Sequence, residues 1–398
     1  MNPNRTKISK YIYFFTAYSV FINTIPLNEG SIVAFVLGKI MLCFRGLLIL
    51  LELTINYKRY NFSKICNLLI LSLITIMSYK YTENWIFFDI FFIVICFGDK
   101  IDVNKLSKSV FNTILFVLIT VSVLNFFGVI SDEYVFCRPD GTIRPTLGFS
   151  HPNALAGNIF FLLVFYFLKN KEQTYKYMDI LIVVFCAIFT YVVPNSITSS
   201  FCILIIAWYI LMSRINALNL LRRFFINTKI LFTIIIFIII GIILLIYMIA
   251  LNRTGEALIV NMSGTFYTRF IYGAKALRTY GISIWGQAVN MCNEKQLQLV
   301  MDPIEKTEYF NLDCLYFYMP IVLGIIPTLY YCFWWIKALK NASIRRDFRY
   351  IVFFVIILAY SVSEGTVLNY TMPLILYGLC GNLETTYKNS RKATIKNI

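Results

Sequence analysis

The chain has 398 residues, 59% of them hydrophobic and 14% charged, with a formal net charge of +16. Soluble domains hold about 45–50% apolar and about 25% charged residues, so this composition cannot cover a water-facing surface and a soluble globular fold is excluded. Nucleic-acid binding needs its positive charge on one face or stripe; here it is dispersed in short clusters between apolar runs, so no nucleic-acid partner is expected.

A transmembrane helix needs about 20 predominantly apolar residues. Runs of that character predict spans near 11–28, 31–54, 63–79, 82–98, 109–130, 153–168, 178–194, 198–212, 229–251, 311–336, 349–363 and 366–383. The expected architecture is an all-α, polytopic integral membrane protein of about 12 transmembrane helices, with 1–398 forming a single membrane domain. No small-residue cleavage site follows the first run, so it is expected to be a span and not a removed signal peptide.

With the N-terminus inside, one set of connections holds most of the 36 basic residues, among them Lys58/Arg59, Lys100/Lys105, Lys169/Lys171, Arg222/Arg223 and Arg345/Arg346. The alternate connections near 29, 195 and 364 hold no Lys or Arg. The positive-inside rule then predicts cytoplasmic N- and C-termini. Two connections are long, 131–152 and 252–310, and span parity puts both on the outer face. Long loops in compact domains are usually functional. Of the ten cysteines, Cys43, Cys66, Cys96, Cys186, Cys202, Cys332 and Cys380 are among those in apolar runs and no Cys-x-x-Cys pair exists, so no metal site is expected; Cys137 and Cys292 fall on the outer side, where a disulfide can form.

The stretch Arg138-Pro-Asp-Gly-Thr-Ile-Arg144-Pro-Thr-Leu-Gly-Phe-Ser-His151-Pro-Asn153-Ala-Leu-Ala-Gly157 runs straight into a span and contains the chain's single histidine. Proline is favoured in the first helical turn, where its missing N–H is no loss, so His151 and Asn153 are expected at the mouth of that span with Arg144 one short loop away. A histidine there either binds a carbonyl at the membrane interface or carries chemistry, and its neighbours favour chemistry.

In the second long segment, 263–287 reads as a short helix followed by a glycine turn, with Ser263 or Thr265 as cap. Arg269, Lys275 and Arg278 are cations on the side where topology disfavours them. An anionic ligand explains them, since guanidinium forks match phosphate oxygens; a solvated helix face is the other account. Asn311-Leu-Asp313-Cys-Leu-Tyr316 opens a span with a carboxylate, as a helix cap or a functional group, and Glu364 lies in the last outer turn. Ionisable groups at such depths are functional candidates by default. Arg45 and Asp89 lie deeper, to pair or to line a cavity.

These motifs resemble the Wzy-type polysaccharide polymerases of the O-antigen ligase and polymerase superfamily. The resemblance rests on Arg144-x-x-x-Gly148-Phe-x-His151-Pro-Asn153 before a span, on Arg269 with Gly281 and Gly286, and on Asp313-x-x-Tyr316. It implies a multi-helix membrane glycosyltransferase, C-type-like in fold, in the bacterial cytoplasmic membrane. Such an enzyme joins oligosaccharide repeat units carried on undecaprenyl diphosphate, at the outer face, with no cofactor, nucleotide sugar or metal. Its implied partners are that lipid-linked oligosaccharide, membrane lipid, a chain-length regulator and a flippase. His151, Arg144 and Arg269 are then the expected catalytic residues, and Arg138, Asn153, Arg278, Asp313, Tyr316 and Glu364 the substrate-binding ones. His151 is the natural general base or a ligand of the diphosphate, with Glu364 and Asp313 as reserve bases. The same motifs fit a ligase that passes the finished glycan to another acceptor. A flippase or exporter of the same lipid-linked glycan would place its cations within spans.

Overall fold

The computed structural model describes residues 32–56, 60, 62–82, 86–88, 91, 95, 103–130, 136–137, 141–170, 175–215, 264–291, 311–345, 347–365 and 367–370. The spans expected at 11–28 and 229–251, most of those at 82–98 and 366–383, and Asp89, Arg138, Ser263 and Cys292 lie outside these residues; so does the pairing of Cys137 with Cys292.

The described chain is almost entirely helical. In order it forms α1 (Ile32–Asn56), α2 (Phe62–Thr82), α3 (Val103–Phe126), the two-residue strands β1 (Phe136–Cys137) and β2 (Ile143–Arg144), α4 (Pro152–Lys169), α5 (Tyr177–Val192), α6 (Ile197–Arg214), α7 (Gly264–Tyr280), α8 (Leu315–Tyr318), a π-helical turn (Met319–Leu323), α9 (Ile325–Ile344), α10 (Phe348–Tyr360) and α11 (Val367–Tyr370). Among the described residues four helices are long and apolar enough to cross a membrane, within α2, α3, α4 and α6, and α5 and α10 are shorter apolar helices. Large apolar side chains such as Leu69, Phe116, Leu181, Phe185 and Phe201 are exposed on these helices. So much uncovered apolar surface is unfavourable in water and at home in lipid.

Helix α4 is the hub. It packs against α3, α5, α6 and α10, and Phe160, Phe161, Phe165 and Phe167 are completely buried. Phe160 and Phe161 bracket Tyr360 of α10, with ring centroids 4.5 and 6.0 Å away, and offset or edge geometry of this kind adds to the area buried. The Tyr360 hydroxyl lies 3.2 Å from Ser199 of α6, which also accepts from Ser196 at 3.0 Å. Tyr360→Phe keeps the ring and removes the hydroxyl that makes this link. It is expected to lower stability by about 1 kcal/mol, seen as a small drop in Tm in detergent.

The bundle has two unlike ends. Lys169 closes α4, Lys176 precedes α5, Arg214 closes α6 over the ring of Tyr177, and Arg349 at the start of α10 bonds the Asn170 carbonyl. At the opposite ends of the same helices lie the start of α4, the turn between α5 and α6, and the turn after α10. That second end carries the site.

The run expected as one span at 311–336 is two pieces. Pro320 lies in the π-turn and Gly324 takes φ +90° at the break, where a backbone N–H and C=O would be orphaned. The strand-like segment after α7 satisfies them: Ile325 and Ile326 donate to the Ser283 and Ile284 carbonyls at 2.9 and 3.1 Å, and Gln287 N–H donates to Val322 at 3.0 Å. Hydropathy does not register such a break, because both halves are apolar.

Candidate functional site

The segment before α4 is shaped to present Arg144. Strand β2 pairs antiparallel with β1, Phe136 facing Arg144. A tight turn then follows, with Phe149 N–H donating to the Thr146 carbonyl at 3.1 Å and both central residues at positive φ, Leu147 at 50° and Gly148 at 84°. Gly148 is required there on two counts, since a Cβ would also come within 3.0 Å of Asn125 Cβ on α3. Arg144 Nε donates to the Pro194 carbonyl at 3.0 Å and Nη2 to Asn153 Oδ1 at 2.5 Å. The guanidinium therefore bridges the turn between α5 and α6 to the first turn of α4.

His151 is the N-cap of α4. A residue before proline is pushed to extended backbone, and His151 has φ −157° and ψ 147° with Pro152 as the first helical residue. In that geometry a cap side chain accepts from an early helical N–H, and the imidazole Nδ1 accepts from Asn153 N–H at 3.0 Å. Burial, with Arg144 and Arg269 nearby, holds the imidazole pKa down to about 3, so His151 is neutral at physiological pH.

Arg269 comes from α7, its side chain 11% exposed. Its Nε donates to the Ser363 carbonyl, Nη2 pairs with Glu364 Oε1 at 3.0 Å, and Asp313 Oδ2 is 4.0 Å away. Asp313 also accepts from Asn311 at 2.9 Å. The cap of α8 is Cys314, without a side-chain bond, so capping is not what Asp313 does. Glu364 is 3% exposed. Burial pushes its carboxyl up to about 8, Asp313 adding to the rise while Arg269 and Arg144 oppose it; burial raises Asp313 as well.

Arg144, His151, Asn153, Arg269, Asp313 and Glu364 thus share one cluster, drawn from four separate stretches of chain. Two sequence-derived candidates stand apart from it. Tyr316 spends its hydroxyl on the Leu358 carbonyl at 2.9 Å. Arg278 is exposed in the last turn of α7, and its nine-residue offset from Arg269 puts it on the opposite helix face at about 100° per residue. Arg45 is buried in α1, away from these loops in sequence. The carbonyls of Pro194 and Ser363, which seat the two arginines, were not candidates from the sequence; the Val193-Pro-Asn-Ser196 turn was the one local signal for the first. Compared with family models, curated proteins and solved structures, the chain gives no match.

Chemically, the cluster can hold an anion. Two guanidinium groups and a neutral imidazole meet at the N-terminus of an 18-residue helix, the end at which its aligned peptide dipoles put partial positive charge. The carboxylates beside Arg269 add proton acceptors within the same cluster.

Proposed function

We propose that this chain is a bacterial polysaccharide polymerase of the cytoplasmic membrane. It would extend a glycan by joining repeat units carried on undecaprenyl diphosphate, at the outer face, by inverting transfer without a metal. The observation that carries this reading is the convergence of Arg144 and Arg269, from two distant segments, with the single histidine at the mouth of α4. In this reading the end bearing Lys169, Arg214 and Arg349 faces the cytoplasm, so the cluster faces out, the chain is multi-pass with about a dozen spans, and both termini are inside. The apolar exterior is the seat for the prenyl tail.

In the reaction a hydroxyl of the incoming lipid-linked unit attacks the anomeric carbon of the growing glycan, and the lipid diphosphate departs. Negative charge grows on the diphosphate oxygens. Cations already in place where charge develops need no reorganisation and lower the barrier most; Arg144, Arg269 and the helix end are so placed. Asn153 orients Arg144 through its 2.5 Å bond.

The test is turnover by purified protein given the undecaprenyl-diphosphate repeat unit and no added metal, read by gel and mass spectrometry. A polymer ladder is expected. Arg144→Ala is expected to slow its formation by about 10²–10³, the cost of one oxyanion donor, and Arg144→Lys to recover little because the two-pronged geometry is lost. If folded protein yields no ladder from authentic substrate, but transfers a finished glycan to a second acceptor, the ligase reading replaces this one. Movement of the lipid-linked unit across vesicles without bond formation would make it a flippase.

A further inference from the structure

The site contains three candidates for the proton acceptor, His151, Glu364 and Asp313; Asp313 already accepts from Asn311 at 2.9 Å, and the geometry separates the other two. A neutral imidazole has one proton and one lone pair. At His151 the lone pair is on Nδ1, because Nδ1 accepts from Asn153 N–H, and the proton is therefore on Nε2. The nitrogen that could take a proton is occupied by the helix cap, and the other is a donor. Pro152 enforces this by holding His151 in the extended backbone that capping needs.

Building on the polymerase reading, we propose that His151 acts as a fixed Nε2–H donor to the departing diphosphate, and that Glu364 takes the proton of the attacking hydroxyl. An anion accepts hydrogen bonds only, so a donor-only imidazole beside two guanidinium groups suits the leaving group. It does not suit an alcohol that must lose a proton. Glu364 Oε1 accepts from Arg269 at 3.0 Å, and a carboxylate's two oxygens have about four lone-pair sites, so this pairing leaves acceptor capacity. Its shifted pKa of about 8 lies near the operating pH, where a general base works best. In the step, the acceptor O–H breaks and its proton goes to Glu364. The oxygen bonds the anomeric carbon while that carbon's bond to the diphosphate oxygen breaks, the electron pair leaving with the diphosphate. Glu364 then returns its proton to water.

Because the chain has a single histidine, 15N-histidine labelling of the detergent-solubilised protein reports on this residue alone. The expected spectrum has a protonated Nε2 and an unprotonated Nδ1, unchanged from pH 6 to pH 8. A proton on Nδ1, or a titration within that range, overturns the donor assignment. Inorganic diphosphate is expected to move the Nε2 signal in the parent and not in Arg144→Ala; no movement in the parent overturns the contact. These readouts need no turnover, so they stand apart from failure of the polymerase reading. In the polymerisation assay, Glu364→Gln is expected to lose about 10²–10⁴ in rate, a general base's usual share, with KM nearly unchanged and partial recovery in Glu364→Asp. His151→Asn keeps an oxygen to cap α4 and loses the distal donor, so it is expected to fold and turn over slowly. Full activity in His151→Asn, or in Glu364→Gln, overturns the corresponding half of the proposal.

Discussion

Arg269→Ala is expected to destabilise the fold, increasingly with pH, and, on the proposed polymerase reading, to abolish polymer formation. The guanidinium is the nearest cation to Glu364 and joins α7 to the turn after α10. Removing one partner of a buried pair costs about 3–5 kcal/mol when the other remains charged, a large part of the 5–15 kcal/mol by which proteins are stable. Glu364 can avoid part of that cost by protonating. Its pKa is already raised above its ordinary value in the folded protein, so folding takes up a proton and stability falls as pH rises from the ordinary carboxylate range towards about 8. Without Arg269 the folded pKa rises further, and the loss continues above pH 8. The gap in Tm between parent and variant should therefore widen between pH 7 and pH 9. Arg269→Ala combined with Glu364→Gln removes the stranded charge and is expected to recover Tm without recovering activity. Recovery of both would make Arg269 a structural tie with no part in binding the diphosphate.

Gly324→Ala is expected to leave little folded protein. A Cβ on Gly324 would stand 2.2 Å from Gly286 N and 2.7 Å from the Trp285 carbonyl carbon, both backbone atoms, and φ is +90°. Neither partner can move without breaking the bonds that satisfy the interrupted helix. With ψ at 169° this backbone lies in a region kept essentially for glycine, which costs a residue with a Cβ about 1–3 kcal/mol, and overpacking typically adds about 1–3 kcal/mol. Gly281→Ala is the control, since Gly281 also has positive φ, 67°, but open space around its missing Cβ. It should cost only the backbone share and run as a single peak on size-exclusion chromatography. Equal losses in the two variants would mean that the close approach at Gly324 does not govern the fold.

Much of the helical plan was legible as hydropathy. The runs expected at 153–168, 178–194 and 198–212 are helices 152–169, 177–192 and 197–214, because apolar length is what a bilayer selects. The His-Pro-Asn string was legible as a helix start, since proline's fixed φ and lost donor belong there. Other features left no trace in residue type. The seats of the two arginines are carbonyls of Pro194 and Ser363, and any residue supplies a carbonyl; only tertiary folding brings them to positions 50 and 94 residues away. The proton state of His151 was likewise invisible, because it depends on which ring nitrogen meets a backbone N–H. The carboxylates around Arg269 changed the reading of charge as well. In the sequence Arg269 is an unmatched cation, whereas in the fold it already has Glu364 at 3.0 Å and Asp313 at 4.0 Å.

The aromatic floor beneath the mouth of α4 bears on ionic strength. Phe160, Phe161 and Tyr360 close the bundle under the cluster, and Arg269 and Glu364 have side chains only 11% and 4% exposed. Mobile ions screen exposed charges over about 10 Å at 0.1 M, and buried ones much less. A headgroup held at this cluster should keep most of its affinity as potassium chloride is raised, whereas attraction to the exposed Lys275 and Arg278 should fade. A salt titration of diphosphate binding thus distinguishes capture inside the bundle from adhesion to its basic exterior.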